Sequence, residues 1–237
     1  MSINLYALSF DAKDPAALAR FWGGVLRREV AEDDGVYLTE GNAGFRVRFL
    51  PSDAIKDRPN QMHFDLTSQT PEDQQATVAR ALELGGRHLD IGQGPEITHV
   101  VLADPEGNEF CVIAAGNNFL ANTATIGALS SDGTQAVGYF WSKALDWPLV
   151  WDQDEETAIQ SPQGGSKISW GGPPVEPKAP KNRLHLDVAP PPGGNAEAEV
   201  ERLLTLGARR LTTGQHGPDA IPLADPDGNE FCILTPR

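Results

Sequence analysis

The sequence predicts an α+β protein assembled from four βαβββ modules, and three observations carry that prediction. The octet Asp104-Pro105-Glu106-Gly107-Asn108-Glu109-Phe110-Cys111 returns 121 residues later as Asp225-Pro226-Asp227-Gly228-Asn229-Glu230-Phe231-Cys232. Other pairs keep nearly the same spacing: Phe21-Trp22 with Phe140-Trp141, His63-Phe64-Asp65 with His185-Leu186-Asp187, and Leu84-Gly85 and Gly92-Gln93 with Leu206-Gly207 and Gly214-Gln215. Within each copy the order strand, helix, three strands occurs twice. A chain of 237 residues suits two copies of about 120 residues each.

The elements follow in order. Asn4 to Phe10 is an apolar strand. Asp14-Pro15 is an N-cap followed by proline at the first helical position, and Ala16, Leu18, Ala19, Phe21, Trp22 and Leu26 form one helical face ending near Leu26 or Arg27. Strands are expected over 28–32, 35–39 and 44–50, separated by turns at Asp33-Asp34-Gly35 and Gly41-Asn42. The pattern restarts with a strand over 61–66, a helix opened by Thr70-Pro71-Glu72-Asp73 and closed at Gly85-Gly86, and strands over 87–90, 98–103 and 109–114. The octet is a hairpin turn: aspartate suits the first turn position, proline presets φ at the second and glycine suits the last. Asp225-x-Asp227-Gly228 is not a calcium loop, because glycine stands fourth rather than sixth. The second copy repeats both modules, its proline-rich stretch 173–180 lying between them, and the domain boundary is expected at Gly116-Asn117-Asn118. That gives domains 1–117 (modules about 1–55 and 58–117) and 118–237 (modules about 118–176 and 180–237).

Composition limits the partners. A net charge of −14 repels polyanions, which argues against nucleic acid and anionic membranes and favours neutral or cationic ligands. The N-terminal residues lack the basic and apolar blocks of a signal peptide, so a cytoplasmic location is expected. The two cysteines hold equivalent positions among apolar neighbours and read as buried free thiols.

Together, the four modules, the Phe-Trp pair on the first helix of each copy, the strand Lys181-Asn182-Arg183-Leu184-His185-Leu186-Asp187 and the closing octet resemble the vicinal-oxygen-chelate superfamily. Within it they are similar to the tandem glyoxalase-like proteins of actinobacterial type, grouped with glyoxalase I, bleomycin-resistance proteins and extradiol dioxygenases. The resemblance implies the glyoxalase/bleomycin-resistance/dioxygenase fold, in which two βαβββ modules pair into a half-open eight-stranded barrel around a cavity, so two barrels are expected. Metal-dependent members draw ligands from the first strand, from a histidine on the strand opening the second module and from a glutamate on the last strand. His63 and His185 match that histidine. The first-strand places fall near Ala7 and Ile126, neither a ligand, and Cys111 and Cys232 stand where the glutamate would be. No cofactor and no metal site are therefore expected; a divalent ion would need a register shift that brings in Glu109 or Asp65.

The candidate site residues are His63 and His185 as acid–base groups, with Trp151, Trp170, His99, Asp65, Asp187, Cys111 and Cys232 as ligand-binding residues. Imidazoles titrate near neutrality, and Asp65 and Asp187, two residues along, share their strand face. His99 lies on the strand entering the first octet, where it could assist His63. Four of the five tryptophans fall in the third module; Trp22 and Trp141 match as core residues, whereas Trp151 and Trp170 have no tryptophan counterpart and suit a cavity wall that stacks a planar ligand. Two functions follow. One is a resistance or sequestration protein holding a hydrophobic or aromatic small molecule in a metal-free cavity. The other is a lyase, isomerase or hydrolase using His63 or His185, or an unplaced metal, with metal-dependent glyoxalase or dioxygenase activity disfavoured by the missing ligands. The chain is expected as a monomer or homodimer.

Overall fold

The computed structural model describes residues 3–32, 35–92, 94, 97–178, 181–212 and 220–235. The Asp33-Asp34 turn, Gln93 and the Gly214-Gln215 pair lie outside the described residues. Four βαβββ modules follow one another. The first is β1 (Asn4–Ala12), α1 (Pro15–Leu26), β2 (Val30–Ala31), β3 (Val36–Leu38) and β4 (Arg46–Pro51); the second is β5 (Met62–Leu66), α2 (Pro71–Glu83), β6 (Arg87–His88), β7 (Val100–Ala103) and β8 (Glu109–Val112). The third is β9 (Ile126–Ser131), α3 (Gln135–Leu145), β10 (Leu149–Gln153), β11 (Glu156–Gln160) and β12 (Lys167–Trp170); the fourth is β13 (Leu184–Ala189), α4 (Ala196–Leu206), β14 (Arg209–Arg210), β15 (Ala220–Ala224) and β16 (Glu230–Leu234).

Local chemistry sets the helix ends. The Asp14 carboxylate accepts the Ala17 N–H at 3.0 Å and Thr70 Oγ1 accepts that of Asp73 at 3.1 Å, each just before a proline whose missing N–H costs the first turn nothing. In each octet the glycine N–H closes the turn onto the aspartate carbonyl at 2.9 Å. Gly107 and Gly228 then take φ of 89° and 92°, a conformation that a side chain would strain.

Each module contributes one parallel pair, between its first and last strands. Antiparallel pairing of first strands then joins β1 to β13 and β5 to β9. The result is two eight-stranded sheets, ordered β14-β15-β16-β13-β1-β4-β3-β2 and β10-β11-β12-β9-β5-β8-β7-β6. The repeat in the sequence and the partition into sheets do not coincide: modules one and four form the first barrel, modules two and three the second.

What binds the two modules of one copy together is side-chain packing. Trp22 on α1 is fully buried, with its ring 6.0 Å from Phe10 of the first sheet and 5.0 and 4.8 Å from Phe64 and Phe110 of the second. Its Nε1 donates to Asp104 Oδ2 at 3.1 Å, and the Asp104 carboxylate also accepts the backbone N–H groups of Glu106 and Asn108 and the Asn108 side-chain amide. Trp141 and Asp225 repeat the arrangement at 3.3 Å. The buried apolar residues of both sheets form one continuous core. Among the described residues no helix is long and apolar enough to cross a membrane.

Asp104→Asn is expected to cost on the order of 2 kcal/mol in urea unfolding, because both carboxylate oxygens accept N–H donors and whichever is replaced by the amide nitrogen sets donor against donor. Asp225→Asn should cost less, since its indole and amide contacts are longer, at 3.3 and 3.4 Å. Equal, negligible costs for both would show that the carboxylate does not organise the turn.

Candidate ligand-binding site

Strand register places the same polar residues inside both barrels. In the second barrel His63 faces Ser130, Ser130 lies beside Ser169, Ser169 faces Ala158, and Ala158 faces Trp151. One step deeper on the same face, Asp65 pairs with Cys111 and Ala128. In the first barrel the matching row is His185, Ser9, Arg48 and Tyr37, with Asp187 beside Cys232 and Ala7. The two rows differ where Arg48 and Tyr37 are replaced by Ser169 and Ala158.

Those two replacements decide which barrel is open. Arg48 Nη1 lies 2.9 Å from Asp187 Oδ2, which Ser9 Oγ also approaches at 2.6 Å, while His185 Nε2 stands 3.4 Å from the other oxygen. The neighbouring Arg46 stacks its guanidinium 4.9 and 5.0 Å from the Tyr6 and Tyr37 rings. The His185 and Asp187 side chains are left 1% and 2% exposed. With serine and alanine instead, the second barrel keeps a cavity of about 520 Å³ against which His63 is 35% exposed. Its walls include Ser130, Ser169, Trp151 (38% exposed) and Phe119, whose ring meets that of Trp151 edge to face at 6.2 Å, while Trp170, 2% exposed, alternates with Ser169 along β12 and packs into the apolar core. Asp132 and Glu156 also line it, and among the described residues no lysine or arginine does.

Behind the wall, Ser130 Oγ donates to Asp65 Oδ2 at 2.5 Å and His63 Nε2 stands 3.5 Å from Asp65 Oδ1. Burial pushes the Asp65 carboxyl up, but His63, Ser130 and the Cys111 thiol together hold it below the usual carboxylate range. The Cys111 thiol is pushed up to about 12 by burial and by the Asp65 charge, and Cys232 is pushed up in the same way beside Asp187. A second space of about 530 Å³ lies between the linkers around residues 54–61 and 176–183, but its cations are already paired, Lys181 with Asp11 at 2.6 Å and Arg183 with Glu106 at 2.9 Å.

The sequence-predicted residues thus divide. His63 and Trp151 line the open cavity, with Asp65 and Cys111 immediately behind it; Trp170 is packed into the apolar core, and His185, Asp187 and Cys232 are sealed inside the other barrel. His99 is not brought to His63. It precedes β7, whose Val100 pairs with Val112 and so lies level with Leu66, at the opposite end of β5 from His63. On the first strands Ser9 and Ser130 stand level with the histidines, whereas Ala7 faces Asp187 and Ile126 faces Leu66. Sequence reasoning missed Ser130, Ser169, Phe119 and Arg48, although Arg48 and Ser169 stand at the same 121-residue offset as the octets.

Residues 7–113 and 128–234 each match the glyoxalase-like domain family. The chain belongs to that family. No curated protein sequence matches it. Among solved structures, this glyoxalase-like protein is similar to glyoxalase I from Zea mays (TM-score 0.65, 14% identity, covering 99% of this chain and 92% of that one). It is also similar to a putative dioxygenase from Bacillus subtilis subsp. subtilis str. 168 (TM-score 0.59, 13% identity, 99% and 85% coverage). At these identities the likeness concerns the fold.

The superfamily's metal can be tested against the donors present. His63, Asp65 and Cys111, and likewise His185, Asp187 and Cys232, bring one N, one O and one S atom within 4.8 Å of one another. In the sealed barrel the Arg48 guanidinium already occupies the carboxylate, so a divalent ion would meet a fixed positive charge. In the open barrel all three donors come from the adjacent strands β5 and β8, and the facing strands offer serines where a metal would be closed in. Asp65 is also engaged by Ser130, His63 and the protonated Cys111. The residues do not fit the family's metal.

Both thiols should therefore resist modification. In the folded protein DTNB is expected to titrate neither cysteine within minutes, and both after denaturation. Rapid native-state reaction at Cys111 would indicate a thiolate and overturn the hydrogen-bonded assignment.

Proposed function

We propose that this glyoxalase-like protein binds a hydrophobic, aromatic small molecule in its second barrel without a resident metal, as a resistance or sequestration protein would. The observation that carries the reading is the cavity of about 520 Å³ that Ser169 and Ala158 leave open, walled by Trp151 and Phe119. That size suits a small organic ligand, and flat aromatic walls favour a planar one by stacking as well as by area buried.

The His63–Asp65 pair supports a second reading. An imidazole at the cavity wall, oriented by a carboxylate 3.5 Å away, has the arrangement of a general base for a substrate proton brought within hydrogen-bond reach. His185, 1% exposed in its side chain, has no such access, so acid–base chemistry would belong to the open barrel alone.

A panel of planar aromatic compounds, followed by thermal shift and tryptophan fluorescence, tests the binding reading, because a ligand that binds only the native state raises its melting temperature. Trp151→Ala is expected to weaken the best binder roughly five- to tenfold. Stoichiometric zinc, nickel, manganese or iron in the purified protein would overturn the metal-free site. Turnover of a bound compound that disappears in His63→Ala would establish the acid–base reading instead.

A further inference from the structure

The sealed barrel contains an occupant supplied by the chain itself. Arg48 reaches from β4 across the concave face and places its guanidinium on Asp187. The groups around that carboxylate recur in the open barrel: His185 as His63, Ser9 as Ser130, Cys232 as Cys111. The contacts recur too, with serine to aspartate at 2.6 and 2.5 Å and histidine to aspartate at 3.4 and 3.5 Å. What the open barrel lacks is the cation, because β12 carries Ser169 at the position of Arg48. Asp65 accordingly keeps 16% of its side chain accessible, against 2% for Asp187 beneath Arg48.

Among the described residues no cation substitutes for the missing one. Lys167, which stands at the level of Ala128 and Asp65, donates instead to the Phe119 carbonyl and lies 4.6 Å from the centre of that ring. The remaining charged groups at the cavity are Asp132 and Glu156, both acidic. We propose that the ligand of the open barrel carries a guanidinium, amidinium or similar planar cation seated on the accessible edge of Asp65, with its aromatic body against Trp151 and Phe119. The inference rests on the aromatic-ligand reading of this cavity and specifies the ligand's polar end. A planar fork of donors matches a carboxylate in geometry and charge, and the ring faces of the walls add attraction for a cation. An anionic ligand would meet Asp65, Asp132 and Glu156, with the nearby Lys167 ammonium held on the Phe119 carbonyl and ring.

The test uses 2-naphthamidine and its neutral isostere 2-naphthamide, titrated against the full chain by calorimetry and tryptophan fluorescence. Wild-type protein is expected to bind the amidine about tenfold or more tightly than the amide, as a charge-assisted pair adds to the stacking both share. Asp65→Asn should bring the amidine to the level of the amide. Ser169→Arg should abolish binding of both while holding or raising the melting temperature, since the chain would then fill its second barrel as it fills its first. Equal binding of amide and amidine by wild type, or an amidine preference that survives Asp65→Asn, overturns the cation seat and leaves the aromatic cavity standing. If neither compound binds, the aromatic reading falls and the inference with it. If Ser169→Arg does not fold, the comparison of wild type with Asp65→Asn decides the matter.

Discussion

A buried carboxylate that accepts an indole N–H holds this chain together in two places. Asp104 and Asp225 sit at the first position of the repeated turn, where each gathers backbone N–H groups, an asparagine amide and the tryptophan of a distant helix. Burial pushes both acids up, Asp225 to about 6, and the gathered donors act in the opposite direction. Turn, helix and carboxylate are therefore interdependent: the charge needs the donors, and the donors need an acceptor away from water. Because Trp22 also packs on phenylalanines from both sheets, the same contact fixes one barrel against the other.

That arrangement explains how a duplicated chain reaches two unlike barrels. Each sheet takes one module from each copy, so no barrel is the property of a single copy. The second and fourth modules supply the same His, Asp and Cys inward. The first and third modules supply the facing strands, and it is these that differ, in Arg48 and Tyr37 against Ser169 and Ala158. A difference confined to two neighbouring strands is enough to seal one cavity and open the other, since an arginine in place of a serine fills volume and neutralises charge together. The tryptophans follow the same division, Trp151 and Trp170 both belonging to the module that faces the open cavity.

The modules were legible in the sequence because each carries local signals that tertiary contacts do not override: a capped helix start at Asp14-Pro15 and Thr70-Pro71, and a turn written as Asp-Pro-acid-Gly. The inward His-x-Asp pairs and the cysteines were legible through the two-residue period of a strand. Which modules share a sheet was not, because the pairing of β1 with β13 and of β5 with β9 depends on side chains such as Trp22 far away in the chain. The level of the first strands was lost for a related reason. The irregularities between Leu5 and Ala7 and between Asp65 and Leu66 shift the register, and a shift changes which residue faces inward without leaving a mark on the strand that is shifted. Ser9 and Ser130 lie on the regular stretches beside these irregularities, level with His185 and His63, and His99 lies away from His63 because β7 pairs with β8 at the level of Leu66.

The sealed barrel also clarifies what the polar cluster requires. A carboxylate surrounded by a hydroxyl, a thiol and an imidazole has donors enough to be hydrogen-bonded but no fixed positive charge, and burying it completely without one is costly. Metal-dependent members of the superfamily meet such a requirement with an ion, and the first barrel meets it with Arg48. In the second barrel Asp65 is kept hydrogen-bonded by Ser130 and His63 yet remains partly accessible, so solvent stabilises its charge when nothing else does. Covering that carboxylate with an apolar body would remove the solvent, and the complex would then depend on what the covering molecule offered in its place. The preference for a cation is in this sense a consequence of sealing the cavity: the more completely Trp151 and Phe119 exclude water over a ligand, the more its polar end must resemble the guanidinium that closes the other barrel.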